Sequence, residues 1–136
     1  QREYNLSAQI GMIEAWHCSS VGKCVLAYKP QSFIENLFSD YDFEKYTTHT
    51  IDNFQELEME LKKIKEQGYA IDDEENLDGI RCVAMPVRDY TEKIVASISV
   101  SAPASRMPLD RIQKIVEELA PACRKLSIRL GYRGQS

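Results

Sequence analysis

Two apolar segments, "IRCVAMPV" (80–87) and "IVASISVSA" (94–102), constrain the fold more than any other feature of this chain. Both segments have the length of a strand, and only the six polar residues "RDYTEK" separate them. Apolar runs of this length with so short a connection are typical of an antiparallel β-hairpin. The sequence therefore predicts a hairpin close to the centre of the domain.

The two faces of this hairpin differ, because side chains alternate between the faces of a strand. One face is apolar and consists of Val83, Met85, Val87, Ile94, Ala96, Ile98 and Val100. The other face is small and weakly polar and consists of Cys82, Ala84, Pro86, Val95, Ser97, Ser99 and Ser101. We expect the apolar face to bury against helices. The small face suits the floor of a small-ligand pocket, or a polar face that another element covers.

Helical patterns surround the hairpin. Ser19 or Ser20 is a suitable cap for a helix through "VGKCVLAY". Asp52, followed three residues later by Gln55, predicts the capped start of a second helix, which ends at Gly68. A final helix from near Pro108 is predicted by an apolar stripe: Leu109, Ile112, Val116, Leu119, Cys123, Leu126 and Leu130. Together these elements indicate an α+β fold.

Size and composition narrow the possible functions. The 136 residues suit one domain, and the net charge of −4, from 17 basic and 21 acidic residues, disfavours direct binding to a phosphate backbone. Neither a membrane-spanning apolar run nor a signal peptide is visible, so we expect a cytoplasmic protein. The four cysteines form no C-x-x-C pair, which favours reduced thiols.

Four consecutive acids, Asp72 to Glu75, precede the hairpin and raise the question of a metal site. Their spacing does not fit a calcium-binding EF-hand loop, because Met85 occupies the closing position. "HCSSVGKC" lacks the first glycine and the final Ser or Thr of a phosphate-binding loop. A zinc site of His17, Asp72 and Cys82 has suitable donors, although the spacing gives it no support. A metal-dependent enzyme using these three residues therefore remains an alternative.

Four segments in order resemble the effector-binding domain of IclR-type transcriptional regulators. They are "WHCSSVGKCVLAY" (16–28), "LKKIKEQGYAIDDEENLDGIRCVAMPV" (61–87), "IVASISVSAPASRM" (94–107) and the final helix. The resemblance extends from about Ser7 to Gly131. It implies a GAF-like antiparallel sheet flanked by helices. It also implies that residues 1–136 are a fragment, without the winged helix-turn-helix domain and the first strands of the sensor domain.

The resemblance also implies a binding site for a small effector. Carried over by position, the residues are the helix-start backbone of Ser20 and Val21, the side chains of Asp72, Cys82, Ser99 and Ser101, and the apolar Leu6 and Ile80. Glu14 and Trp16 depart from the family pattern before His17, and they are candidates for the mouth of the pocket. Of these residues, the alternation of the strands independently placed Cys82, Ser99 and Ser101 on the small face.

The sequence thus predicts a sensor domain rather than an enzyme, with no cofactor. The predicted ligand is a small carboxylate, either a keto acid or a sugar acid, and a helix start such as "SSVGK" suits a carboxylate. The resemblance implies that operator DNA is bound only through the N-terminal domain and that the protein is a homodimer or homotetramer. A dimerisation module without a ligand is the other alternative.

Overall fold

The computed structural model describes residues 9–134 and confirms an α+β fold. The helices are α1 (Ser20–Leu26), α2 (Gln31–Phe38), α3 (Phe54–Gln67) and α4 (Ile112–Arg129). The strands are β1 (Ala70–Asp73), β2 (Ile80–Arg88) and β3 (Ile94–Pro103). Two short 3₁₀ turns, Ala104–Arg106 and Leu109–Arg111, connect β3 to α4. Within the described residues, no helix is both long and apolar enough to span a membrane.

The three strands form an antiparallel sheet in the order β1-β2-β3. The predicted hairpin is confirmed, with a five-residue loop between Arg88 and Ile94. The pairing shifts by one residue at Val87 and Arg88, next to this loop. Upstream of that shift the register is regular, so the alternation of side chains persists through the part of the sheet that carries the predicted site.

Helix α4 covers the apolar face of the sheet. Val83, Met85 and Val87 of β2 pack against the helix residues Ile112, Val116, Leu119 and Cys123. The predicted stripe was wrong at both ends, because Leu109, Leu126 and Leu130 are exposed. Ser127 is buried instead, where its hydroxyl accepts a hydrogen bond from the backbone N–H of Arg88 and donates to the carbonyl of Cys123.

Helix α1 lies on the opposite, small face. Cys24 and Leu26 of α1 are fully buried in a core that includes Ala70 of β1 and Ala84 of β2. The Ser97 hydroxyl of β3 donates a 3.2 Å hydrogen bond to the carbonyl of Val21. The small side chains on this face thus let a helix approach the sheet closely, and α1 covers part of the face.

Helix α3 packs over α1 and is followed directly by β1. Its cap is Asn53 rather than the predicted Asp52, because the Asn53 side chain accepts the N–H of Glu56 at 2.8 Å. The side-chain amide of Asn53 also donates to the carboxylate of Glu56, which lies at the position of a capping-box acid but is bonded to the side chain rather than to the backbone N–H of the cap residue. The predicted end at Gly68 is confirmed, with a left-handed φ of 86° that suits glycine.

Candidate functional site

Three of the predicted site residues form one row across the sheet. Asp72 of β1 pairs with Cys82 of β2, and Cys82 pairs with Ser101 of β3. All three side chains therefore project from the same face, which is the face that α1 covers only in part. Asp72 is almost fully buried, Cys82 is half-buried and Ser101 is exposed, so the row runs from the interior to the surface.

The neighbouring positions extend this row in both directions along the strands. Ser99 is exposed and pairs with Ala84, and Ile80 is buried and pairs with Pro103. Both residues share the face of Cys82, two positions away on their strands. The structure therefore brings Ile80, Cys82, Ser99 and Ser101 together on one surface, with Asp72 beside them.

The Asp72 carboxyl group is held by backbone N–H groups. Its Oδ1 atom accepts the N–H of Glu75 at 2.8 Å and that of Asn76 at 3.3 Å. Burial raises the pKa of Asp72, and the Glu75 N–H, the charge of Lys23, the Asn76 N–H and the Cys82 thiol oppose this rise. Since Oδ1 is already occupied, the second oxygen is the one that remains for other partners.

The thiol of Cys82 lies between Asp72 and Ser101. The Ser101 hydroxyl donates to the Cys82 sulfur at 3.0 Å. Burial raises the pKa of Cys82 to about 11, although the Ser101 hydrogen bond lowers it and the carboxylate charges of Asp72 and Glu14 raise it. A thiol with so high a pKa is a poor nucleophile at neutral pH.

The start of α1 supplies the backbone groups of the predicted site. Ser19 is the cap residue, and its hydroxyl accepts the N–H of Gly22 at 3.1 Å. Ser20 and Val21 are thus the first two residues of the helix, where N–H groups lack a partner within the helix. Ser20 is buried and Val21 is half-buried.

A buried ion pair that the sequence reasoning missed joins α1 to the acidic segment. The ammonium group of Lys23 is fully buried and donates to both carboxylate oxygens of Glu75, at 2.8 and 2.9 Å. It also donates to the carbonyl of Ile71 at 2.7 Å and lies 3.5 Å from Glu60. The sequence carries one signal for a buried ion pair. Lys23 is the single charged residue of α1, "SVGKCVL", and the four acids Asp72 to Glu75 offer negative charges that could pair with it.

The other two acids also have defined partners. Asp73 forms an ion pair with Arg81 at 2.7 Å, and Glu74 accepts the N–H of Gly79 at 2.7 Å. Asp73 and Glu75 are therefore each paired with a cation, whereas Glu74 is bonded to the backbone. The hydroxyls of Thr47 and Thr50 donate to the carbonyls of Glu74 and Glu75 and hold the same segment from its other side.

The zinc site proposed as an alternative does not form. Between residues 9 and 134, no three His, Cys, Asp or Glu side chains are grouped so that they could hold a metal ion. Both ring nitrogens of His17 are already hydrogen-bonded, Nδ1 to the Tyr41 hydroxyl at 2.7 Å and Nε2 to the Glu44 carbonyl at 2.8 Å. A carbonyl only accepts, so Nε2 carries a proton, and His17 anchors the segment after α2 instead.

The two candidates for the pocket mouth have different surroundings. Glu14 is exposed, and its charge raises the pKa of both Cys18 and Cys82. Trp16 is half-buried and packs against the core formed by α1, α2 and α3. Leu6 lies outside the described residues.

Comparisons with known proteins agree with this architecture. The family described as "Bacterial transcriptional regulator IclR C-terminal" matches residues 1–128. The HTH-type transcriptional regulator KdgR of Dickeya chrysanthemi is 34% identical over 131 residues, which are 95% of this chain and 43% of that protein. The chain thus spans less than half the length of this curated relative, which is a transcriptional regulator rather than an enzyme.

Solved structures give the same result. The C-terminal domain of the Escherichia coli transcriptional regulator KdgR superposes with a TM-score of 0.81 at 32% identity, covering 86% of this chain and 71% of that one. Thermotoga maritima IclR superposes with a TM-score of 0.88 at 30% identity, covering 97% of this chain and 53% of that one. With the family match over residues 1–128, these likenesses show that the chain belongs to the IclR family of bacterial transcriptional regulators and corresponds to their C-terminal domain.

Proposed function

We propose that residues 1–136 belong to one effector-binding domain, which senses a small organic acid for a cytoplasmic DNA-binding regulator. The row of Asp72, Cys82 and Ser101 beside the start of α1 carries this proposal. In the whole protein, a winged helix-turn-helix domain on the N-terminal side would bind operator DNA, and the protein would be a homodimer or homotetramer. This chain, with its net charge of −4, would have no direct role in binding DNA.

The proposed ligand is a carboxylate that carries keto or hydroxyl groups. Its carboxylate would accept hydrogen bonds from the N–H groups of Ser20 and Val21, at the positive end of α1. Its other oxygens would face Asp72, Ser99 and Ser101 on the sheet. Cys82 and Ile80 would form the floor, Leu6 a wall, and Glu14 and Trp16 the mouth.

The hydrogen-bonding capacity of the row supports a hydroxylated acid. Because the Ser101 hydroxyl donates to Cys82, its lone pairs are the groups left for a ligand. The second oxygen of an ionised Asp72 also accepts only. Two acceptors in one row, with Cys82 between them, suit a ligand that brings hydroxyl donors, whereas a keto oxygen would need a reoriented Ser101 hydroxyl or a protonated Asp72. We therefore place sugar acids before keto acids among the candidates.

A ligand can regulate the protein only if it binds one of two conformations more tightly than the other. The shift in the conformational equilibrium is set by this difference in affinity. The proposed site joins groups from separate elements, namely α1 and the three strands. A ligand that contacts the start of α1 and the row on the sheet would favour one spacing between them. A change in this spacing would transmit the effect of ligand binding to the subunit interface or to the linker to the DNA-binding domain.

A thermal-shift titration tests the proposed function. Pyruvate, D-gluconate and benzoate represent the keto, sugar and aromatic acids. Saturation at about 100 times the dissociation constant would stabilise the domain by about 2.7 kcal/mol. We expect a saturable rise in the melting temperature for D-gluconate. If neither D-gluconate nor pyruvate produces a saturable rise, the proposed class of ligand is wrong.

Two serine variants then locate the site. We expect Ser101→Ala to weaken binding about tenfold, which corresponds to one lost hydrogen bond of about 1.4 kcal/mol. Ser39→Ala is the matched control, because the Ser39 hydroxyl is also exposed and donates one hydrogen bond, to the Asn36 carbonyl at the end of α2. Equal affinities for the parent, Ser101→Ala and Asp72→Asn would show that the ligand binds elsewhere.

A further inference from the structure

Lys23 is the fully buried cation of α1, and its position relative to Asp72 is unusual. The ammonium group bonds to the carbonyl of Ile71, which precedes Asp72, and to the side chain of Glu75, which follows it by three residues. The contacts of Lys23 therefore bracket Asp72 along the chain. The same lysine lies one helical turn after Ser20, in the helix whose start is the other half of the proposed site.

Glu75 strengthens this connection through both its side chain and its backbone. One carboxylate oxygen, Oε2, accepts from Lys23 and also from the N–H of Asp73 at 2.9 Å. The backbone N–H of Glu75 donates to Oδ1 of Asp72 at 2.8 Å. A displacement of the Glu75 side chain would therefore shift the residues on both sides of Asp72 and one of the donors that orient its carboxylate.

We propose that Lys23 and Glu75 are positioning residues, which fix the Asp72 carboxylate relative to the start of α1 without touching the ligand. This inference rests on the proposed function, because it concerns the two groups that would bind opposite parts of the effector. The pair spans 52 positions of the chain and connects α1 with the end of β1, so no local element could perform the same task.

The alternative is that the pair only stabilises the fold. Buried ion pairs do so poorly, because the loss of hydration of two charges offsets much of their attraction. Replacing both partners with neutral groups of similar size is therefore expected to preserve folding. If the pair serves to position Asp72, such a double variant will fold and yet lose the geometry of the site.

The test uses the double variant Lys23→Met, Glu75→Gln. Methionine fills the space of the lysine stem, and the glutamine oxygen can still accept the N–H of Asp73. The matched control is Lys45→Met, Asp52→Asn, which neutralises a pair whose side chains are 50% and 46% exposed. Amide hydrogen exchange at Glu75 and Asn76 reports the hydrogen bonds to Asp72 directly, with or without a ligand.

We expect the double variant to melt within about 5 °C of the parent, while exchange at the amides of Glu75 and Asn76 accelerates at least tenfold. The amide of Gly22, which donates to Ser19, should keep its protection. Affinity for D-gluconate, pyruvate or benzoate, whichever the parent binds, should fall at least tenfold. The control variant should match the parent in exchange and in affinity.

The inference would be overturned if these two amides exchange in the double variant at the rate of the parent. It would also be overturned if they exchange faster but the double variant binds the acid as tightly as the parent does. If the parent binds none of the three acids, the proposed function fails, and the exchange rates alone decide whether Lys23 and Glu75 hold Asp72. If the double variant does not fold, Glu75→Asp replaces it, since both charges of the pair remain while the shorter side chain withdraws the carboxylate from the N–H of Asp73. We expect a threefold or greater effect in the same direction, and parental exchange would again overturn the inference.

Discussion

The two faces of the three-stranded sheet differ in the chemistry of their buried contacts. On the α4 face, Val83, Met85 and Val87 meet an apolar helix, and the contact is a layer of hydrocarbon. On the α1 face, Asp72 and Cys82 lie near a fully buried lysine. The first face gains stability from each apolar group that it buries, whereas the second pays for burying charge.

This contrast separates the part of the domain that stabilises the fold from the part suited to binding. An apolar contact tolerates substitutions of similar volume, because it depends on size and shape. A buried polar network depends on every partner, because one missing group leaves another unsatisfied in a dry environment. Substitutions on the α4 face should therefore change stability alone, and substitutions on the α1 face should change stability and binding together.

The largest effect is expected where one charge of the α1 face is left alone. Lys23→Met leaves the Glu75 carboxylate buried without its cation, and removing one partner of a buried pair costs about 3–5 kcal/mol. Urea denaturation measures this loss. The double variant Lys23→Met, Glu75→Gln should recover most of it, because the Glu75 carboxylate is no longer buried without its cation. A loss below about 1 kcal/mol in the single variant would show that the α1 face tolerates an unpaired charge as readily as a surface does.

On the α4 face, a smaller loss should come from Leu119→Ala. Leu119 is buried against Val87, and truncation of a buried leucine costs about 2–4 kcal/mol, with affinity for the effector unchanged. Leu126→Ala is the matched control, because Leu126 belongs to the same helix but is 36% exposed, so its loss should stay below about 1 kcal/mol. Equal losses at both positions, or a tenfold change in affinity at Leu119, would break the division between the two faces.

The sequence was informative about the α4 face because its signal is local. Alternation along β2 and β3 and the spacing of Ile112, Val116 and Leu119 predicted most of that face correctly, but Val100, which was expected to be buried there, is exposed. The helical stripe failed at Leu126 because the sheet-facing position there belongs to Ser127, which accepts the Arg88 N–H next to the shift in strand pairing. Periodicity counts apolar residues, and it does not show where a backbone donor requires an acceptor.

The α1 face was only partly predictable. Alternation placed Cys82 and Ser101 together, since both lie in one hairpin, but the alignment of Asp72 with them depends on how β1 pairs with β2. The Lys23–Glu75 pair joins residues 52 positions apart, and nothing in the local pattern of either segment selects the partner. The cap of α3 shows the same limit at short range, because Asp52 and Asn53 are both good caps and only the structure distinguishes them.

The smallest effect concerns the pH dependence that Asp72 gives to the α1 face. Its pKa is raised mainly by burial, so the folded protein holds the Asp72 proton more tightly than the unfolded chain does. Below the pKa that Asp72 has in the unfolded chain, its ionisation therefore does not lower the free energy of unfolding. As the pH rises through the pKa that Asp72 has in the folded protein, its ionisation lowers the free energy of unfolding. Asp72→Asn removes this titration while its amide oxygen can still accept the N–H of Glu75.

We therefore expect the unfolding free energy of Asp72→Asn, relative to the parent, to increase between pH 4 and pH 8, as measured by urea denaturation. The pKa of Glu75 is also raised mainly by burial, and the charge of Asp72 adds to that rise, so its removal acts in the same direction. Asp89→Asn is a control of opposite sign, because the Thr91 hydroxyl lowers the pKa of Asp89 and makes its ionisation favourable to folding. Asp89→Asn should be less stable than the parent by a nearly constant amount above about pH 5, and this difference should disappear as the pH falls through the folded pKa of Asp89. If Asp72→Asn behaves like Asp89→Asn, burial does not dominate at Asp72, and the α1 face is electrostatically closer to the surface than to the core.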